Sequence, residues 1–154
     1  MARAPMQVIV LPYRFTPAGQ PEYAIFFRYS PRYGAFWQTI SGGGEDDETP
    51  LQAAMREANE EGGLSYETEY LPLDMMTKLP ARMASELLSL DILSVPEYAF
   101  GANAADQEIV ISDEHINFRW VDYDEAHRLL KFDSNKNALW ELHYRLTGEN
   151  KEVV

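Results

Sequence analysis

Apolar and β-branched residues gather at 7–11 and 22–28, and both runs predict strands. Between them, 16–21 carries Pro, Gly and Pro and reads as a turn. Residues 30–34 form a second loop before a short strand at 37–40. Three consecutive glycines and four acids make 41–48 an irregular segment. The clearest periodicity follows. Thr49 can serve as N-cap, Pro50 suits the first helical position and Gln52 completes a capping box. Leu51, Ala54, Met55 and Ala58 recur at i, i+3, i+4, i+7, the spacing of a core-facing stripe, and Gly62 and Gly63 end the helix.

Two further apolar runs, 87–95 and 115–121, predict strands, and 103–108 is a polar loop. Helices are expected at 123–131 and 134–147. Asp133 is placed to cap the second, whose buried face would be Ala138, Leu139, Leu142 and Leu146. Strands mixed with a few helices, without regular alternation, predict an α/β (α+β) fold in which a mixed sheet packs between helices. No repeat or linker divides the chain, so one domain is expected over 1–154. The segments 75–84 and 98–106 read as loops that would carry specificity.

Composition narrows the function. The 154 residues suffice for one buried core. Without cysteine there is neither a disulfide nor a thiolate metal site. No long apolar run predicts a membrane span, and the MARAPMQVIV terminus makes a poor export signal, so a cytoplasmic location is expected. The formal charge of −12 repels a polyphosphate strand, which argues against DNA or RNA polymers as partners. A small phosphorylated ligand remains compatible if divalent cations bridge it to carboxylates.

On the predicted helix, Glu57, Glu60 and Glu61 share an arc of about 100°, beside the apolar stripe rather than opposite it. Such proximity is repulsive unless something cationic intervenes. Oxygen donors without Cys or a nearby His suit Mg²⁺ or Mn²⁺. On these three alone, the ordinary reading is a solvated helix face. The residues upstream tip the balance. Gly42, Glu48, Arg56, Glu57, Glu60, Glu61 and Gly63, with Leu64, stand in GGGEDDETPLQAAMREANEEGGL, spanning 42–64. Seven such matches arise by chance at roughly 10⁻⁸ per starting position.

This segment resembles the Nudix box. The runs FWQTISGGGEDDETPLQAAMREANEE, SDEHINFRWVDYDEA and, more faintly, DSNKNALWEL are similar to bacterial dihydroneopterin triphosphate and dATP pyrophosphohydrolases of that family. The resemblance implies an α/β/α sandwich and metal held by Glu57, Glu60 and Glu61 with the Ser41 carbonyl. It also implies water attack on a diphosphate bridge, with Glu57 or Glu114 as base. Glu48 and Arg56 are assigned a structural ion pair, and the glycines close backbone approach.

Arg28 and Arg32 could meet phosphates, Trp37 could stack on a base, and Asn135 could meet a phosphate or base edge at a helix start. Surface solubility competes for the arginines, and core packing competes for Trp37. The three histidines show no metal-ligand spacing. The expected partner is a small nucleotide, and a homodimer stays open. Three functions compete: release of pyrophosphate from a nucleoside or pterin triphosphate, cleavage of a linked nucleoside diphosphate such as ADP-ribose, for which Pro80 is weak support, and nucleotide sensing without cleavage.

Overall fold

The structure, a computed structural model, describes residues 3–81 and 92–151. In chain order the elements are β1 (Arg3–Phe15), β2 (Pro21–Ser30), β3 (Gly34–Gln38), β4 (Ile40–Glu45), α1 (Pro50–Gly62), β5 (Glu69–Pro80), β6 (Ser94–Asn103), β7 (Asn117–Val121), α2 (Tyr123–Leu129) and α3 (Asp133–Thr147). The strands form one mixed sheet in the order β3-β2-β1-β6-β5, with β4 also paired to β1 and β7 to β2. Only β1 and β6 run parallel among these pairs, in the register Gln7↔Glu97 to Tyr13↔Asn103.

β1 is buried on both faces, which is why its sequence is a continuous apolar run rather than an alternation. Val8 and Val10 pack with Ala24, Phe26, Ile40, Ala54, Ala58 and Leu64 under α1. Leu11 and Tyr13 pack on the other face with Tyr23, Ile25, Leu139 and Leu142, under α2 and α3. The result is the expected mixed sheet between helical layers, and no helix among the described residues is long and apolar enough to cross a membrane.

The helix ends follow local chemistry. Thr49 Oγ1 accepts from Gln52 N at 3.2 Å and Gln52 Oε1 accepts from Thr49 N at 2.9 Å, the reciprocal box expected for α1. Gly63 closes α1 at φ 71°, a left-handed conformation that favours glycine. Asp122 caps α2 by accepting from Glu125 N. Asp133 does not cap α3; it lies in the first turn, and the N-cap is Phe132, which makes no side-chain cap bond.

Other expectations are corrected. The buried face of α1 is Ala53, Ala54, Glu57, Ala58, Glu61 and Gly62, whereas Leu51 is 40% exposed and Met55 only half-buried. Small residues let the helix lie close on the sheet and turn two carboxylates inward. The glycine segment is not irregular: Ile9↔Ser41, Val8↔Gly42 and Gln7↔Gly43 pair it to β1 as strand β4. Pairing by a central partner strand overrides the weak strand propensity of glycine.

β5 is an edge strand with exposed charges and prolines, which hid it from hydropathy. It occupies 75–80 of one segment expected as loop, and β6 occupies 98–103 of the other. The β5 register shifts between Pro72 and Met76, and there Glu141 of α3 accepts from Asp74 N and Met75 N, both at 2.7 Å. The expected strand at 87–95 lies mostly outside the described residues; β6 begins at Ser94.

Candidate active site

The site begins where β4 passes beneath α1. At Gly42, a Cβ would come within 2.5 Å of the Glu57 carboxyl atoms, so only glycine lets that carboxylate lie against the strand. Arg56 joins loop to helix. Its Nε donates to Glu48 Oε2 at 2.9 Å, and Nη2 donates to Glu48 Oε1 at 3.0 Å and Gly43 O at 2.8 Å. Its Nη1 donates to Glu57 Oε1 at 2.9 Å and Glu60 Oε2 at 3.3 Å, with Glu45 at 3.5 Å. Glu48 also accepts from Glu45 N at 2.8 Å. These bonds hold the Glu48 carboxyl below its ordinary pKa, the Arg56 bond being the main cause.

The inward carboxylates behave differently. Burial pushes the Glu57 carboxyl up to about 7, against the pull of Arg56, and Glu60 and Glu114 add to the rise. Glu61 is pushed well above the carboxylate range, first by burial and then by Glu114 and Glu57, while the Ser41 N–H opposes. Glu114 is held below its ordinary value because Glu61 donates to it, with Arg28 and His115 helping. Glu61 Oε2 is buried without a hydrogen-bond partner among the described residues. Glu60, with a side chain 55% exposed, lies on the outer side of this group. Among the described residues, no three acidic or histidine side chains already converge as a metal-binding set.

Ser41 connects the carboxylates to a cleft of about 300 Å³. Arg28 and Arg32 line it on the β2 side, and the Arg28 Nε is buried without a hydrogen-bond partner among the described residues. One wall is aromatic: Phe36 meets Phe132 edge-on at 5.3 Å, and Tyr33 meets them at 6.0 and 5.4 Å. Gln7, Gln38, Glu97, Ser134 and Asn135 supply the polar lining. Asn135 is 3% exposed, and its Oδ1 accepts from Thr39 N at 3.1 Å, which fixes the single residue between β3 and β4 to the start of α3.

Of the residues singled out from sequence, Arg28, Arg32, Ser41 and Asn135 line this cleft, and Glu57, Glu61 and Glu114 act on one another electrostatically beside it. Trp37 does not line it. Its ring packs on Phe27 at 4.9 Å, because strand alternation sends 36 and 38 to the cleft and 37 to the opposite face. Tyr33, Phe36, Phe132 and Glu97 were missed. The alternation of β3 was the signal for Phe36, and a lone acid inside VPEYAF was the signal for Glu97. His115 is buried beside Gln38, with Nε2 3.4 Å from its amide nitrogen, close to the carboxylates rather than apart from them.

A glycine strand under an acidic helix, opening on an arginine-lined cleft, is an arrangement suited to phosphates, and comparison with known proteins agrees. The NUDIX domain model matches residues 13–142. The Escherichia coli (strain K12) dihydroneopterin triphosphate diphosphatase is 31% identical over 108 residues, 68% of this chain and 72% of that protein. A Myxococcus xanthus octanoyltransferase is 33% identical over 122 residues, 79% of this chain; the match spans only 32% of that longer protein. A candidate NUDIX hydrolase of Listeria monocytogenes str. 4b F2365 superposes with TM-score 0.83 at 34% identity, covering 96% of this chain and 97% of the other. The chain belongs to the NUDIX family, hydrolases that act on nucleoside diphosphate derivatives.

Proposed function

We propose that this chain is a divalent-metal-dependent pyrophosphohydrolase that converts a nucleoside or pterin triphosphate to a monophosphate and pyrophosphate, in the cytoplasm. The observation that carries this reading is the buried pair Glu57 and Glu61, turned inward beside Gly42 and Ser41 at the mouth of a cleft with two arginines. Two buried carboxylates against a core are costly, burial pushes both carboxyl groups up, and a cation beside them would relieve that cost.

The donor set fits Mg²⁺ or Mn²⁺. It is all oxygen, and the buried, unpartnered Glu61 Oε2 is an acceptor lacking a cation. Glu57, Glu60 and Glu61, with the Ser41 carbonyl, are the residues that would hold it. When bound, such an ion neutralises phosphate oxygens and acidifies the attacking water. The chain's own groups supply the rest. Arg28 and Arg32 grip phosphate oxygens through their planar forks. Glu114 is the favoured base over Glu57, because Glu57 Oε1 is tied to Arg56 and Glu57 is among the residues that would hold the metal. Glu48 and Arg56 keep the loop fixed on the helix.

The test is a panel of nucleoside triphosphates, pterin triphosphates and linked nucleoside diphosphates, assayed with Mg²⁺ and with chelator. Pyrophosphate release that chelator abolishes, and that Glu61→Gln lowers by at least ~10²-fold without loss of fold, is expected. Two monophosphate products from a linked diphosphate would replace the substrate assignment. Metal-independent turnover, or an active Glu61→Gln, would overturn the mechanism.

A further inference from the structure

Glu97 takes no part in the chemistry proposed above, yet it is the one buried acid on the cleft wall away from the α1 carboxylates. It is 5% exposed, and its Oε1 has no hydrogen-bond partner among the described residues. Its neighbours explain why. Gln7, paired with it across the parallel strands, already donates to Ser41 Oγ at 3.0 Å and accepts from Arg3 at 2.7 Å. Asn135 has its Oδ1 committed to Thr39 N, and its Nδ2 lies 3.5 Å from Ser134 Oγ. Among the described residues the Ser134 hydroxyl is the side-chain donor that acts on the Glu97 carboxyl. The relay from Asn135 through Ser134 orients the carboxyl and leaves one oxygen unmet.

A buried acceptor without a donor costs about 1–3 kcal/mol, more when charged, so an unmet oxygen in a ligand-sized cleft marks where a ligand's N–H belongs. Phe36 and Phe132, edge-on to each other, line the same cleft and offer apolar ring surface against which a planar ring can pack.

We propose that Glu97 is the specificity-determining residue of this cleft and selects a heterocycle whose edge carries two adjacent N–H donors, the 2-amino-4-oxo-pyrimidine edge shared by guanine and pterins. This rests on the triphosphate reading of the site and narrows its substrate class. A carboxylate only accepts, so a ring N–H beside an amino group satisfies it with two parallel bonds. Adenine sets a ring-nitrogen lone pair beside its amino group and would face the carboxylate with a second acceptor. Uracil offers a single N–H flanked by carbonyls. Burial pushes the Glu97 carboxyl up while the Ser134 bond opposes, and two arriving donors stabilise the ionised form.

The experiment compares GTP, ATP and a pterin triphosphate on the full chain with Mg²⁺, in the wild type, Glu97→Gln and Glu97→Asp. Equilibrium binding of GMP and AMP is measured in parallel without metal. Wild type is expected to favour GTP or the pterin over ATP by about 10- to 100-fold in kcat/KM. The pterin arm shows which of the two sources of that edge fits better. Glu97→Gln offers one donor and one acceptor, the complement of adenine, so the preference should collapse or reverse, mainly through KM. Glu97→Asp keeps the carboxylate and should keep the direction of preference. Equal use of GTP and ATP by wild type, or an equal loss for both in Glu97→Gln, would overturn the assignment. If no triphosphate is cleaved, the reaction reading fails separately: GMP binding tighter than AMP, levelled by Glu97→Gln, would still uphold the recognition site, and equal affinities would sink it.

Discussion

Gly42→Ala is the most direct probe of how β4 positions the chemistry, because it changes no charge and no donor. Gly42 is not among the positive-φ glycines, so alanine suits its backbone. The new methyl, however, would lie within 2.5 Å of the Glu57 carboxyl atoms, where ordinary contact needs about 3.5 Å. The strand cannot recede, since it is paired to β1 at Val8. The Glu57 carboxylate must therefore move by roughly 1 Å and lose its 2.9 Å bond from Arg56. Folding should hardly suffer: glycine replacement at a compatible site gains about 0.4–1 kcal/mol through the unfolded chain, which offsets part of the strain. Catalysis should. Misplacement on the order of 1 Å costs about 10²-fold in rate. Steady-state turnover across a Mg²⁺ titration, with calorimetric Tm alongside, should show a large fall in kcat and a Tm within a few degrees of wild type. The double variant Gly42→Ala/Glu57→Gln should be no worse than Glu57→Gln alone, because both act through one carboxylate. Turnover within threefold of wild type at equal Mg²⁺ would refute the reasoning.

Three further outcomes follow from the contacts. Glu48→Ala strips Arg56 of two bonds at 2.9 and 3.0 Å and should lower Tm by about 5–10 °C, measured by thermal denaturation, since breaking a largely buried ion pair costs ~2–4 kcal/mol. Glu141→Ala frees the Asp74 and Met75 N–H groups, and hydrogen exchange should speed up at those two amides before the centre of β5 is affected. His143 is buried on Tyr23 and Tyr123, with the Tyr23 hydroxyl 2.6 Å from Nδ1, and burial holds its pKa below 6.5 against Glu149 and Asp124, with Lys151 reinforcing. The fold favours the neutral ring, so its contribution is complete above about pH 6.5 and declines as pH falls below it. Denaturant midpoints at pH 7.5 and 5.5 should differ more in wild type than in His143→Gln; equal differences would show that another group titrates.

Much of α1 was legible because its signals are local: the Thr49–Gln52 box, Pro50 and Gly63 need no partner to act. Its inward face was not. Periodicity assigns Leu51, Ala54, Met55 and Ala58 to the core with the carboxylates at its edge, and the helix keeps Ala54 and Ala58 inside but is turned so that Glu57 and Glu61, rather than Leu51 and Met55, lie against the sheet. β4 and β5 were unreadable for a related reason. Glycines 42–44 are strand only because β1 supplies the ladder, and β5 is an edge whose prolines and charges mimic a loop. In the candidate site, acids at helical spacing could be found in one dimension. The partnership of Glu61 with Glu114, and of Glu97 with Ser134, joins segments far apart in the chain and appears only once the sheet assembles. Trp37 and Phe36 differ by one residue of register, a distinction that needs the neighbouring strand.

Only Thr39 and Ile40 separate Phe36 and Gln38, which shape the cleft, from Ser41 and Gly42, which border the carboxylates, and Asn135 pins the Thr39 N–H. There is no slack between the part proposed to hold a ring and the part proposed to cut. New substrates can therefore be accommodated by exchanging side chains on β3, β6 or α3, whereas lengthening this link would shift ring and phosphate out of step. Adaptation here is confined to repainting a rigid frame.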